Sequence, residues 1–124
     1  MTRTVLIVED TDVGRDALEL ALMQVPDLEF QSVGTAEEAL QCLASGEISA
    51  LVTDIHLPRM DGFELIETIR SHPRRARLPI VVISGDSDPR TPERLASLGA
   101  NAYFSKPYSP AELRHTLEQL IDGP

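Results

Sequence analysis

The chain has 124 residues and a formal net charge of −9; one core burying roughly two-thirds of the unfolded surface suits that length, so a single domain over residues 1–124 is expected. Its acidity, and its content of 2 Tyr, 3 Phe and no Trp, argue against direct nucleic-acid binding. No apolar run approaches the ~18 residues that span a bilayer, and the residues from Met1 lead into a strand rather than a signal peptide, which points to a cytoplasmic protein with no membrane contact.

Thr4 to Val8 is a β-branched apolar run of the kind buried on both faces of a parallel sheet, and it ends on Glu9 and Asp10. From Asp12 to Gln24 the residues Ala17, Leu18, Ala21, Leu22 and Val25 recur at helical spacing until Pro26 stops them. Glu29 to Val33 reads as a second strand. Thr35-Ala36-Glu37-Glu38 is a capping box for a helix with the apolar stripe Ala36, Ala39, Leu40 and Leu43, closed by Gly46. Cys42 lies in this helix; as the only cysteine it excludes an internal disulfide and a multi-cysteine metal site, and a buried, inert thiol is expected.

Ile48 to Thr53 forms the third strand and ends on Asp54, because Pro58 and Gly62 prevent its continuation. A helix from Asp61 to Ser71 follows, with Asp61 and Glu64 as its cap and N3 partner and Leu65, Ile66 and Ile69 inward. Arg70, Arg74, Arg75 and Arg77 make a basic cluster expected to be solvated surface, at the end of the sheet away from the carboxylates. Pro79 to Ile83 is the fourth strand, ending on Ser84-Gly85-Asp86. Thr91 as N-cap and Pro92 as first helical residue open a short helix with Leu95 and Leu98, stopped by Gly99. Ala102 to Ser105 is the fifth strand, ending on Lys106-Pro107, and Ser109-Pro110-Ala111-Glu112 caps a last helix with Leu113, Leu117, Leu120 and Ile121 inward.

Strict alternation of strands and helices means parallel strands joined by right-handed crossovers, with helices on both faces. The expected fold is α/β: a flavodoxin-like, doubly wound five-stranded parallel sheet of order 2-1-3-4-5 with five helices, in three α/β/α layers. In such sheets ligands bind beyond the strands' C-terminal ends at the topological switch point, here between the first and third strands.

In that order Glu9, Asp10 and Asp54 converge, Ser84 lies one strand away, and Lys106, the only lysine, reaches in from the edge. Close carboxylates repel by roughly 4 kcal/mol per pair at an effective dielectric of about 20, so the cluster calls for a cation. Oxygen-only ligation in an open site with room for waters and phosphate oxygens suits Mg²⁺. A metal-held carboxylate beside a hydroxyl and an ammonium suits phosphoryl transfer onto Asp54, with Lys106 and Ser84 stabilising the charge that develops. Simpler roles stay open at this stage: Glu9 and Asp10 as helix caps, Asp54 as a loop cap, Lys106 in a structural ion pair with Asp54 or Asp10, and Ser84 as a turn hydroxyl.

The segments Val5-Leu6-Ile7-Val8-Glu9-Asp10, Asp54 with Leu57-Pro58-Arg59-Met60-Asp61-Gly62, Pro79-Ile80-Val81-Val82-Ile83-Ser84-Gly85, Gly99-Ala100-Asn101-Ala102 and Lys106-Pro107 stand in a specific order. Together they resemble the receiver domain of two-component response regulators, chemotaxis-regulator-like, over essentially the whole chain. The resemblance implies that Asp54 accepts phosphate from a phosphohistidine on a sensor histidine kinase or a histidine phosphotransfer protein. It also implies that Glu9, Asp10, Asp54 and the backbone carbonyl of His56 organise Mg²⁺, and that Lys106-Pro107 is a cis peptide. It further implies a switch in which Ser84 follows the phosphate and Tyr103 changes rotamer. That switch would remodel the surface of the fourth helix, fifth strand and fifth helix for a downstream protein target or output domain. The alternative for Tyr103 is a plain half-buried strand aromatic. A protein of this kind is a signalling phosphoprotein rather than a turnover enzyme. His56 and Asp86, two residues after Asp54 and Ser84, are placed to influence the lifetime of the phosphoryl group, in a direction the sequence leaves open.

Two other folds with related sheets fit less well. A haloacid-dehalogenase-type phosphatase wants a second acid two residues after its nucleophile, where this chain has His56. A flavodoxin needs a hydroxyl- and glycine-rich phosphate loop after the first strand, where Glu9-Asp10 would repel the flavin phosphate. The stronger rival is a phosphorylation-independent receiver-like interaction module, against which the acid set, Ser84 and Lys106 argue. No residues remain after the last helix for an output domain, so the chain is expected to be either a single-domain regulator or a receiver excised from a longer protein.

Overall fold

The computed structural model describes residues 3–122; the expected lead into the first strand at Met1 and Thr2, and the chain's last two residues, lie outside them. Five parallel strands, β1 (Arg3–Val8), β2 (Leu28–Val33), β3 (Ala50–Thr53), β4 (Ile80–Ser84) and β5 (Ala102–Ser105), form one sheet of order β2-β1-β3-β4-β5. They alternate with α1 (Asp12–Leu22), α2 (Ala36–Ser45), α3 (Gly62–Ser71), α4 (Thr91–Leu98) and α5 (Pro110–Asp122), and one 3-10 turn over Pro73–Arg75 follows α3. This is the expected doubly wound, flavodoxin-like arrangement.

Alternation along the strands splits the interior in two, because successive side chains leave opposite faces of a sheet. Leu6, Val8, Leu51, Ile80 and Val82 face α2, α3 and α4 through Ala39, Leu65, Ile66, Ile69 and Leu95. Val5, Ile7, Val52, Val81 and Ile83 face α1 and α5 through Leu18, Leu22, Leu113 and Leu117. At about 1.5–3 kcal/mol per fully buried aliphatic side chain, these two layers dominate the stability of the fold.

Several details differ from the sequence reading. The inward stripe of α1 is Leu18, Ala21 and Leu22, and Ala17 is exposed instead, in line with Val13 and Leu20, which are 82% and 64% exposed. Positions 13, 17 and 20 form a second helical stripe that periodicity alone cannot rank against the first. Cys42 is half-buried against the core rather than sealed within it. The strand ending at Thr53 starts at Ala50 instead of Ile48. Thr91 is the first residue of α4 rather than its cap: Arg90 stands in the capping position without a side-chain bond, and the Thr91 hydroxyl donates to Asp86 Oδ2 at 3.0 Å.

Arg70 also departs from the expected solvated cluster. Its guanidinium donates to the Gly99 carbonyl at 3.1 and 2.8 Å, to Asn101 Oδ1 at 3.0 Å and to the Arg75 carbonyl at 2.9 Å, pinning the end of α3 to the α4–β5 turn. Gly99 makes room for it, since φ there is +105° and an added Cβ would lie 2.9 Å from Arg70 Nε. Asn101 completes the joint by accepting the Ile80 amide at 2.8 Å. Arg70→Ala is expected to lower stability by about 1–3 kcal/mol, because several partly buried acceptors lose their donor together. A urea midpoint shift at unchanged slope would show it.

Candidate functional site

Register brings the site together. Val8 stands opposite Thr53 in the β1–β3 ladder, so the residues that follow, Glu9 and Asp54, emerge side by side at the switch point. The ladder continues one residue further: Glu9 N donates to the Val33 carbonyl at 3.0 Å, Asp54 N to Val8 at 3.1 Å and Lys106 N to Ser84 at 2.9 Å. Lys106 therefore leaves the end of β5 on the same lip, followed by a cis Lys106–Pro107 bond.

The side chains form one bonded cluster. Asp54 is 7% exposed. Its Oδ1 accepts the amides of Ile55 at 2.6 Å and His56 at 3.2 Å. Its Oδ2 accepts Lys106 Nζ at 2.8 Å, and the same ammonium reaches Glu9 Oε2 at 3.2 Å. Glu9 is 2% exposed, and its other oxygen, Oε1, accepts the Thr11 amide at 3.2 Å and the Thr11 hydroxyl at 3.0 Å. Burial pushes the Asp54 carboxyl up, but hydrogen bonds from Lys106 and the His56 amide, with the lysine's charge, outweigh it and hold the group below the ordinary aspartate value. For Lys106 burial acts downward, and the hydrogen bond and charge of Asp54 together with the charge of Glu9 carry it above the ordinary lysine value. The Lys106 ammonium thus bridges the Asp54 carboxylate and the Glu9 side chain.

The other expected residues are placed around this cluster in different ways. Asp10 is exposed, outside the buried pair, and among the described residues no three His, Cys, Asp or Glu side chains close around one point. Ser84 is fully buried and its hydroxyl accepts the Asp86 amide at 3.2 Å. Tyr103 is half-buried, and its hydroxyl donates to the Asp86 carbonyl at 3.3 Å. Burial, with the charges of Asp86 and Asp54, pushes its pKa up, so it stays a neutral phenol. His56 is exposed, with Nε2 3.9 Å from Asp86 Oδ2, so the two residues singled out for their distance from Asp54 and Ser84 face each other.

Sequence reasoning missed Thr11, which both caps α1 by accepting the Gly14 amide at 3.1 Å and holds Glu9. It also missed Arg15, whose guanidinium donates to the Glu9 carbonyl at 2.9 Å. The cap signal at Thr11 is present in the sequence, but its second bond, to Glu9, depends on the turn that follows β1. Alongside, a largely apolar groove between α1 and the start of α5 is lined by Val13, Ala17, Leu18, Pro107, Tyr108 and Pro110 and opens beside Glu9 and Lys106.

Gly62 fixes the loop that carries Asp54. Its amide donates to the Ile55 carbonyl at 2.7 Å, and an added Cβ would lie 2.6 Å from the Asp54 carbonyl oxygen and 2.7 Å from Ile55 Cα. Both are backbone atoms in a packed loop, so Gly62→Ala is expected to cost about 1–3 kcal/mol. The Ile55 and His56 amide resonances should shift with it, since they hold Asp54 Oδ1.

A doubly wound sheet with two buried carboxylates and a lysine at its switch point defines a protein of the flavodoxin-like α/β class. Residues 5–118 match the response regulator receiver domain family, and the chain belongs to it. It is a receiver domain of two-component signal transduction. It is 35% identical over 119 residues to the transcriptional regulatory protein GltR of Pseudomonas aeruginosa, covering 96% of this chain and 49% of GltR. The chain thus spans about half the length of that relative. It is 30% identical to the two-component response regulator ORR13 of Oryza sativa subsp. japonica, over 94% of this chain and 96% of that one. The receiver domain of a sensor histidine kinase from Pseudomonas aeruginosa superposes with a TM-score of 0.87 at 25% identity, over 98% of this chain and 99% of that one, and holds a magnesium ion in its active-site cleft.

The residues of this chain fit such an ion. The donors are all hard oxygens, and two buried carboxylates that share one ammonium retain excess negative charge, to which Asp10 adds at the rim. A hard divalent cation offsets that charge, and an open lip leaves room for the waters Mg²⁺ prefers to keep.

Proposed function

We propose that residues 1–124 act as one cytoplasmic receiver unit that accepts a phosphoryl group on Asp54 from a phosphohistidine of a sensor histidine kinase or histidine phosphotransfer protein. The observation that carries this reading is the convergence of Glu9, Asp54 and Lys106 at the switch point, with both carboxylates on one ammonium. Glu9, Asp10 and Asp54, with the His56 backbone carbonyl, would hold Mg²⁺, which supplies charge neutralisation for the incoming phosphoryl oxygens.

The remaining work falls to the chain's own groups. Asp54 Oδ1 is tied to two backbone amides, so Oδ2, facing Lys106, is the oxygen free to attack phosphorus. An O–P bond forms as the N–P bond of the donor breaks, and the departing imidazole takes up a proton. The Lys106 ammonium moves from carboxylate to phosphoryl oxygen, offsetting the charge spread over the transferring group. The apolar groove beside Glu9 and Lys106 gives a protein donor a surface to seat on.

The same geometry supports a switch. Drawing Ser84 toward a new phosphoryl oxygen would break its bond from the Asp86 amide, and Asp86 also holds the hydroxyls of Thr91 in α4 and Tyr103 in β5. The signal thus leaves through the α4, β5 and α5 surface to a downstream protein target or output domain. The chain signals rather than turning over a substrate.

Incubation with Mg²⁺ and acetyl phosphate, followed by intact-mass measurement, tests the reading. A Mg²⁺-dependent gain of about 80 Da is expected for one phosphoryl group. No gain under any donor, with the fold intact, would favour a phosphorylation-independent interaction module.

A further inference from the structure

We infer that Gly14 and Thr11 together form a cradle that sets the position of the Glu9 carboxylate, and so act as positioning residues for Mg²⁺ affinity. The inference rests on the metal reading above and adds residues that touch neither metal nor phosphate.

A helix does not favour the glycine at position 14. Gly14 lies in the first turn of α1, where glycine weakens a helix relative to alanine. No positive φ accounts for it. Space does: a Cβ at position 14 would lie 2.6 Å from Glu9 Cδ, 2.7 Å from Glu9 Cγ and 2.8 Å from Thr11 Oγ1. The Glu9 side chain therefore folds back over the bare backbone of α1 and occupies the volume a methyl group would fill. There Thr11 holds Oε1 with two donors, its amide at 3.2 Å and its hydroxyl at 3.0 Å. Only Oε2 is turned toward Lys106 and Asp54.

One carboxylate oxygen is thereby committed to the helix and the other to the site. A ligand held in this way loses little rotamer freedom when a cation binds, and groups that orient a metal's ligands typically carry a large share of its affinity. An aspartate at position 9 has a shorter side chain and would not reach back as far over Gly14. The clash of a residue-14 methyl with the residue-9 side chain is thus specific to glutamate, while its contact with Thr11 Oγ1 is present in either background.

The test is Mg²⁺ titration of the full chain by isothermal calorimetry, with no phosphodonor present, over the wild type, Gly14→Ala, Glu9→Asp and the double variant. Gly14→Ala is expected to weaken Mg²⁺ binding about tenfold when residue 9 is Glu and less than about twofold when it is Asp. Thr11→Val is expected to weaken binding in the same direction and Thr11→Ser to restore it, a pair that decides the matter if Gly14→Ala fails to fold. Equal affinity of Gly14→Ala and wild type, or an equal loss in both residue-9 backgrounds, overturns the cradle while leaving the metal site standing. A wild-type chain that takes up no Mg²⁺ overturns the metal reading and the cradle's role with it.

Discussion

Asp54→Asn is expected to gain no phosphoryl mass with Mg²⁺ and acetyl phosphate, while the unaltered chain gains about 80 Da. The substitution preserves shape but exchanges a carboxylate oxygen for an amide nitrogen, a poor nucleophile toward phosphorus. It also divides the native bonding: one carbonyl oxygen cannot accept both the amides of Ile55 and His56, now on Oδ1, and the Lys106 ammonium, now on Oδ2. Lys106 keeps Glu9 as a partner, so a stability loss of only about 1 kcal/mol is expected and the lost reaction will not reflect unfolding. A variant that gained the same mass at the same rate would remove Asp54 as the acceptor.

Lys106→Ala is expected to slow Mg²⁺-dependent phosphorylation by about 10²–10³-fold, the effect of removing one preorganised charge from a developing oxyanion. Its effect on stability carries a pH signature. In the unaltered chain Asp54 is depressed, so its contribution is present above the unfolded value of about 3.9 and is lost as pH falls through the lower folded value. Lys106 is raised, so its contribution is present below about 10.4 and is lost as pH rises through the higher folded value. Between these limits the pair's contribution is flat.

Without the ammonium, burial becomes the dominant influence on Asp54 and acts upward, beside a second buried carboxylate at Glu9. The variant should then be less stable by about 1–3 kcal/mol at pH 7, less than a fully buried pair would cost because Lys106 is partly exposed. That deficit should shrink as pH falls, because a proton can stand in for the missing ammonium. Added Mg²⁺ should shrink it too. Urea denaturation at pH 7 and pH 5, with and without Mg²⁺, measures all of this, and a deficit independent of both pH and Mg²⁺ would rule out the carboxylate pair as its source.

Much of this architecture is written locally. The runs Thr4 to Val8 and Pro79 to Ile83 are apolar without alternation because both faces of a central parallel strand are covered. The capping residues Thr35, Asp61 and Ser109 accept the amides of Glu38, Glu64 and Glu112 as their spacing predicts. Alternation with crossovers then leaves few topologies. Thr91 escaped the same logic because a carboxylate five residues back, Asp86, is a stronger acceptor for its hydroxyl than the helix's own amides. Arg70 escaped it because its acceptors, at Gly99 and Asn101, sit across a turn that only the packing of α3 on α4 brings near.

The sequence by itself determined the order of elements, and that acids end the first and third strands and a lysine the fifth, because apolar periodicity and breaker residues are local properties of the chain. Only the tertiary structure decided that Glu9, and not Asp10, shares the ammonium with Asp54, and that Thr11 and the bare backbone at Gly14 hold it there. Adjacent residues at a strand end point to opposite sides. Which of the two turns inward depends on atoms brought close by residues up to 97 positions away in the chain, as the Lys106–Glu9 contact shows.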